Sequence, residues 1–503
     1  MDARIFMMGA ILCLFIQAGM PSVAVSSSYT YDFNARCQTA YQLIMAMRIR
    51  EAQQLMEVEQ KAHPDNLIPV LLQNYIDFME LFFDGGPAAY QQKLADRNTC
   101  LSLLASGNRD SPYYLFTQAV VHFQWSLIKV KFGDRISAAW EFRRAYLMFS
   151  ENRKRYPQFY PNDIFLGAMK TAIGTVPEGY RWISDILGMK GSIEEGMHML
   201  KQVIARGDDQ QILFGNEAYI YYCYLLFYIE RNPEAVFRFI REKNLDTRQN
   251  QLYAFMVANL ALNHHRSAYA LRVLQNRDQQ HDYLDMPSLD FELGSIYLNS
   301  LQADSAIRYL QAFLQRTKTD YYKKDALLRL SWAYTLKGQS AMAAQCRQRI
   351  LKEGNAIVDA DKTALLEARK NTQVDIHILR ARLLSDGGYF RQALDELNSL
   401  STTALPDYLN KLMYAYFMAR IYDEMGEDDK AIPYYQATIE AGRNLPEYYA
   451  ARAAWQMGMI YEKRNEPQKA LYYYNLCLQM PEKEYKNSLD QWAKAGIERI
   501  KGK

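Results

Sequence analysis

The chain has 503 residues, too many for one compact core, and carries 59 basic against 56 acidic residues for a formal net charge of +3. That near balance argues against nucleic-acid binding, which calls for a basic excess concentrated on one face. Glycine (24) and proline (15) are sparse and no low-complexity tract interrupts the sequence, so the expected class is all-α, as a solenoid whose core grows along one axis.

In chain order, the first feature is a leader. Met1 to Arg4 is short and polar, Ile5 to Met20 is apolar but for Gln17, and Ser22-Val23-Ala24 supplies the small residues a signal peptidase requires. This pattern predicts a signal peptide over 1–24 and an exported protein, with retention as an uncleaved anchor as the alternative. No Asn-x-Ser/Thr sequon occurs, which favours a bacterial periplasmic or outer-membrane-associated location over a eukaryotic secretory lumen. Cleavage leaves Cys37, Cys100, Cys223, Cys346 and Cys477, odd in number and without metal-ligand spacing, and only Cys37 with Cys100 is a candidate disulfide.

Residues 25–210 read as an irregular helical-repeat segment. Ala52 with Pro64 fits the second helix of a hairpin, and Gly133, Ala138, Phe142 and Ala145 fit a loop and a second helix. The run Arg143, Arg144, Arg153, Lys154, Arg155 is the densest basic patch. It reads as a solvated helix end complementing the dipole, and it leaves peripheral membrane association open. The stretch Phe165 to Ile204, with Pro177, Trp182, Leu187-Gly188, Lys190-Gly191-Ser192 and Gly196, is somewhat similar to a segment of a eukaryotic family of inclusion-body-clearance repeat proteins. That likeness implies repeat architecture only.

From residue 211 a grammar emerges: a large residue, a small one, an aromatic three later, a turn residue, then Ala and an aromatic. Leu293-Gly294 with Tyr297 and Ala306 follows it. So do Met418-Ala419 with Tyr422, Gly426, Ala431 and Tyr435, and Met457-Gly458 with Tyr461, Asn465, Ala470 and Tyr474. The small residue of the first helix lets the second approach closely, and the second helix's Ala is the matching contact. The turn residue sits where a left-handed conformation is needed. This grammar resembles the tetratricopeptide repeat, whose fold is a right-handed superhelix of helix pairs. The second-helix alanines run Ala235, Ala268, Ala306, Ala343, Ala393, Ala431 and Ala470. The longest interval, between Ala343 and Ala393, predicts a connector or hinge over 353–372. It divides repeats over 211–352 from C-terminal repeats over 373–503. At about 38 residues per pair, some eleven to thirteen pairs are expected.

No phosphate loop, dinucleotide fingerprint, nucleophile elbow or zinc-binding helix motif occurs, and the adjacent His264 and His265 fall in a predicted surface turn. The resemblance implies that first-helix positions 2, 5, 9 and 12 line a concave groove, since spacings of 3, 4 and 3 share one helix face. The C-terminal pairs then contribute Asp375, Ile378, Arg382 and Ser385; Met413, Tyr416, Arg420 and Asp423; and Arg452, Trp455, Met459 and Glu462. Phe291, Ser295 and Trp332 come from earlier pairs. Phe291, Trp332, Arg382, Tyr416, Arg420, Arg452 and Trp455 are of the types that dominate interfaces. The family's carboxylate clamp for chaperone tails needs Lys at position 5 and Asn at position 9, which no pair here has. The expectation is a non-enzymatic scaffold of the cell envelope, without cofactor or metal, that binds a peptide or helical partner. The rivals are an outer-membrane receptor for glycan or peptide nutrients, and an envelope hydrolase with an unrecognised site.

Overall fold

The computed structural model describes residues 29–175, 188–207, 212–370, 372–401, 403, 405, 407–480 and 483–502. The expected leader and part of the Phe165 to Ile204 stretch lie outside them. Among the described residues there are 24 helices and no strand, only an isolated bridge between Thr30 and Asn66. No described helix is long and apolar enough to cross a membrane.

Most helices pair with their chain neighbour. The first hairpins are α1 (Ala35–Met45) with α2 (Ile49–Ala62), α3 (Ile68–Phe83) with α4 (Pro87–Leu104), α5 (Pro112–Lys131) with α6 (Arg135–Arg155), and α7 (Pro161–Gly174) with α8 (Ile193–Arg206). There follow α9 (Gly215–Tyr228) with α10 (Pro233–Glu242), α11 (Gln251–Leu262) with α12 (Ser267–Gln275), α13 (Pro287–Asn299) with α14 (Ala303–Arg316), and α15 (Lys323–Leu336) with α16 (Ser340–Lys352). The C-terminal hairpins are α18 (Ile376–Gly387) with α19 (Phe390–Asn398), α20 (Tyr408–Glu424) with α21 (Asp428–Gly442), and α22 (Tyr449–Lys463) with α23 (Pro467–Gln479), capped by α24 (Lys486–Lys501). One helix stands outside the pairing: α17 (Asp359–Lys370), inside the expected connector. The array is an all-α, tetratricopeptide-like solenoid.

The close contact within each hairpin follows the repeat grammar. Ala306, Ala393, Ala431 and Ala470 are completely buried and Ala343 nearly so. A side chain at Gly294 would strike Leu310, and one at Gly458 would strike the Tyr474 ring. Two alanines need correction. Ala235 is half-buried and Ala268 exposed, whereas Val236 and Ala270 are fully buried at the fourth residue of α10 and α12. Each sequence register slipped by one or two residues because a neighbouring alanine met the rule.

Nine hairpins turn through a left-handed residue, but only Gly133, Gly338, Gly388 and Gly426 are glycines and one is Asn465. Met47, Arg231, His265 and Leu301 occupy the other four turns, at a cost of about 1–2 kcal/mol each. Gly388 (φ 85°) has a second constraint, because a Cβ there would lie 1.9 Å from the carbonyl oxygen of His265.

The solenoid does not remain extended. The first hairpins fold back on α9, α11 and the loops before α13 and α15. Tyr75 donates its hydroxyl to Glu217 Oε1 at 2.6 Å, and Tyr41 hydrogen-bonds the other oxygen. Leu284 N donates to Met47 O at 2.7 Å, Lys318 pairs with Asp84 at 2.7 Å, and Phe83 meets Phe255 edge-on. One apolar core therefore runs from Phe33 to Ile296. A second runs from Ile378 to Ala493, with smaller clusters joining them around α14–α17.

Candidate functional site: two concave faces

Of the expected groove residues, Phe291 lines one cavity and Trp332 and Arg382 another, while Tyr416, Arg420, Arg452 and Trp455 line neither. Phe291 belongs to the first, inside the closed N-terminal ring. It lines a cavity of about 720 Å³ whose walls include Phe78, Phe82, Tyr221, Tyr224 and Phe255. Trp332 and Arg382 line the second, a groove of about 420 Å³ over the C-terminal hairpins, with Tyr448, Tyr449 and Tyr485.

In the second groove, the Arg382 guanidinium stacks on Trp332 at 4.5 Å from the ring centroid and pairs with Glu367 of α17 at 3.2 Å. Burial opposes its charge, but Glu367 and neighbouring groups hold its pKa above the ordinary arginine value. Tyr416 is buried rather than presented, and packs against Tyr448 and Tyr449. Arg420 is committed to Asp386 at 2.7 Å. Arg452 and Trp455, one helical turn apart on α22, both meet Trp492 of the capping helix, at 5.9 and 5.1 Å. Among the described residues the buried donors Arg452 Nε and Trp455 Nε1 find no hydrogen-bond partner. Of the remaining stripe, Ile378, Ser385, Met413 and Ser295 are buried. Asp423 accepts from Tyr435 at 2.9 Å and from Gln456 at 3.0 Å, and Glu462 pairs with Arg499 at 2.8 Å.

Helix α17 forms part of this groove's wall through Leu366, Glu367 and Lys370. Asp361 accepts from the backbone N–H groups of Tyr322, Lys324 and Asp325 at 3.0–3.1 Å and so caps α15. Glu367 reaches Arg382, and Lys370 pairs with Glu484. Arg382 in this groove thus already binds the carboxylate of a wall helix.

Cys37 and Cys100 are both free thiols. Burial pushes each up to about 12. His265 is half-buried rather than on an open loop, with its Nε2 3.3 Å from Glu424 across the solenoid. Burial opposes its charge, but Glu424 raises its pKa. A buried ion cluster escaped the sequence reading: Glu141 of α6 meets Arg97 at 2.6 Å, His122 at 2.5 Å and Lys129 at 2.8 Å. Burial would raise the Glu141 carboxyl, yet hydrogen bonds from His122 and Lys129 with the Arg97 charge hold it at about 2. Among the described residues no group of His, Cys, Asp and Glu is arranged to hold a metal.

Residues 402–483, spanning α20 to α23, match the tetratricopeptide repeat family. These hairpins are tetratricopeptide repeats. Their first helices carry Arg420, Arg452 and Trp455, so these belong to the tetratricopeptide segment itself. No curated protein matches the chain in sequence. Among solved structures, the P58(IPK) TPR domain is similar at 12% identity over 82% of this chain and 95% of its own, with a TM-score of 0.22. The Cut9–Hcn1 hetero-tetramer of the APC/C is similar at 10% over 92% and 95%, with 0.26. Naa15/Naa10 bound to HypK-THB gives 13% over 92% of this chain, which spans 65% of that one, with 0.25. A tetratricopeptide solenoid is a protein-interaction fold.

Proposed function

We propose that this protein is a non-enzymatic scaffold of the cell envelope that binds a helical or extended segment of a partner protein along the concave face of its C-terminal repeats. The reading rests on one observation: within the groove Arg382 stacks on Trp332 and donates to the carboxylate of Glu367 on the wall helix α17. A partner segment carrying an acidic residue beside an apolar one would use the same contacts. The unpartnered donors at Arg452 and Trp455 continue the stripe toward the C-terminal cap. Export follows from the leader pattern. A glycan receptor would call for coplanar aromatic platforms. The aromatic pairs here are tilted by 32° at Tyr448–Tyr449 and 43° at Trp455–Trp492, which favours side-chain over sugar stacking.

The test is a photocrosslinking amino acid at Leu409, on the groove wall, against one at Tyr472, exposed on the second helix of its hairpin. Each is expressed in the full chain in its cell of origin. Discrete adducts from Leu409 that vanish with Trp332→Ala/Arg382→Ala support the reading. Equal adducts from both positions, or adducts indifferent to that pair of substitutions, overturn it.

A further inference from the structure

The cavity inside the N-terminal ring is separate from the groove assigned above, and its chemistry is different. At about 720 Å³ it falls within the range of small-molecule sites. Its walls are rich in aromatic rings, and the carboxylates of Glu217, Glu292, Asp325 and Asp386 outnumber the cations Lys131 and Arg329. Glu217 is fully engaged by the hydroxyls of Tyr41 and Tyr75. Glu292, at 4% exposure, is not. Its Oε1 accepts from Asn259 at 2.7 Å, and among the described residues its Oε2 has no hydrogen-bond partner.

The groups facing Glu292 come from every neighbouring element: Asn259 from α11, Tyr224 and Tyr228 from α9, Tyr322 before α15, and Asp325 and Arg329 within α15. Arg329 is the only cation among them. It is bonded to Asp325 at 2.9 Å and its guanidinium lies over the Phe291 ring at 5.3 Å. Asp325 takes up that charge, so an ionised Glu292 leaves this end of the cavity one negative charge in excess. Burial accordingly pushes the Glu292 carboxyl up to about 7. Lys131, also on the wall, is held by the carbonyls of Leu81 and Phe82 at 2.8 and 2.7 Å, and burial lowers its pKa to about 8. Ser288 Oγ, on the wall as well, is buried and has no hydrogen-bond partner among the described residues.

We infer that this cavity is a binding site for a small organic monocation, an ammonium group on an aromatic or aliphatic body, with Glu292 as its counter-ion and Tyr224, Phe291 and Tyr322 as its cage. A buried carboxylate beside aromatic faces is the arrangement that desolvated ammonium groups favour, because ring quadrupoles and the carboxylate both attract the cation. The apolar body of the ligand packs against Phe78, Phe82 and Phe255. The ammonium binds to the ionised carboxylate, so affinity rises with pH until Glu292 is deprotonated and falls up to tenfold for each pH unit below about 7.

The experiment is calorimetric titration of the full chain with three matched probes, 4-phenylbutylamine, 4-phenylbutanol and 4-phenylbutyrate. At pH 8 the amine is expected to bind at least about tenfold more tightly than the alcohol, and the acid least tightly. That preference should fall about tenfold between pH 8 and pH 6, as the protonated fraction of Glu292 grows. Glu292→Gln should abolish the preference while leaving alcohol binding, which itself reports an intact cavity. Phe291→Trp, which narrows the cavity, should weaken all three probes and serves as the second variant if the glutamine form unfolds. Equal binding of amine and alcohol, no binding of either, or amine binding untouched by both variants overturns the inference.

Discussion

Tyr474 is gripped between two glycines. Gly458 of α22 and Gly496 of α24 each present bare backbone to its fully buried ring, with the Cβ position 2.4 Å and 2.5 Å away respectively, and the hydroxyl donates to Glu462 at 2.7 Å. Gly458→Ala therefore forces either the ring or the helix to move. A clash this close belongs at the upper end of the about 1–3 kcal/mol that overpacking costs, and the better helix propensity of alanine returns about 1 kcal/mol, leaving a net loss of about 2 kcal/mol. Tyr474→Ala empties the slot and should cost about 3–5 kcal/mol, whereas Tyr474→Phe forfeits only the hydroxyl bond, about 1 kcal/mol. Urea denaturation followed by tryptophan emission reads the loss, since two of the six tryptophans, Trp455 and Trp492, pack together at 5.1 Å on the same two helices as the glycines. The expected order of loss is Tyr474→Ala, then Gly458→Ala, then Tyr474→Phe. Gly458→Ala and Gly496→Ala should also be non-additive, since they displace one ring. A Gly458→Ala protein at or above wild-type stability would refute the argument, as helix propensity would then outweigh the contact.

Glu141→Gln strands Arg97, His122 and Lys129 in the core and should cost about 3–5 kcal/mol at neutral pH, measured by thermal unfolding against wild type. The wild-type carboxylate's contribution should disappear as pH falls from 4.5 toward its folded value of about 2. Glu217 has the opposite sign. Burial raises its folded value to about 7 from 4.5, so the folded state holds the extra proton and stability is lost as pH rises through that window. The shift of 7 − 4.5 is worth about 3 kcal/mol, and Glu217→Gln should flatten the corresponding part of the stability–pH curve. An unchanged slope would mean the carboxylate is hydrated. Gly388→Ala combines a left-handed backbone with a collision on the His265 carbonyl and should lower stability by more than about 1–2 kcal/mol. Hydrogen exchange should show the loss at both the α18–α19 and α11–α12 turns, and a change confined to the former would argue against contact between successive turns of the solenoid.

The hairpins between Gly294 and Tyr474 were legible because their contacts are local: a glycine or alanine in one helix meets a partner one helix later, and glycine or asparagine marks the turn. The grammar failed where a different side chain met the same requirement. Val236 replaces the expected alanine, and Met47, Arg231, His265 and Leu301 adopt the left-handed turn. Helix α17 was read as a connector because it has no hairpin mate and docks instead by Asp361 and Glu367. The stripe residues from Phe291 to Glu462 lie on, or cap, the first helices of their hairpins. Which of them stay accessible depends on Tyr448, Tyr449 and Trp492, and those positions lie outside the stripe. Phe291 illustrates the largest gap. Its cavity exists only because residues near 41 to 86 return to those near 217 to 322, and no periodicity in a sequence encodes contacts across that span.

That return has a consequence for how the chain folds. In an open repeat array each hairpin needs only its neighbours, so structure can grow stepwise as the chain leaves the ribosome. Here the hydroxyls of Tyr41 and Tyr75 have no acceptor until Glu217 exists, and the Met47 carbonyl waits for Leu284. The N-terminal half therefore completes as one late, high-contact-order event after its last hairpins are synthesised. The C-terminal repeats, held by short-range contacts, can assemble hairpin by hairpin. One polypeptide thus combines two folding regimes, and a truncation that an ordinary repeat protein would tolerate at its first hairpin would here open the ring.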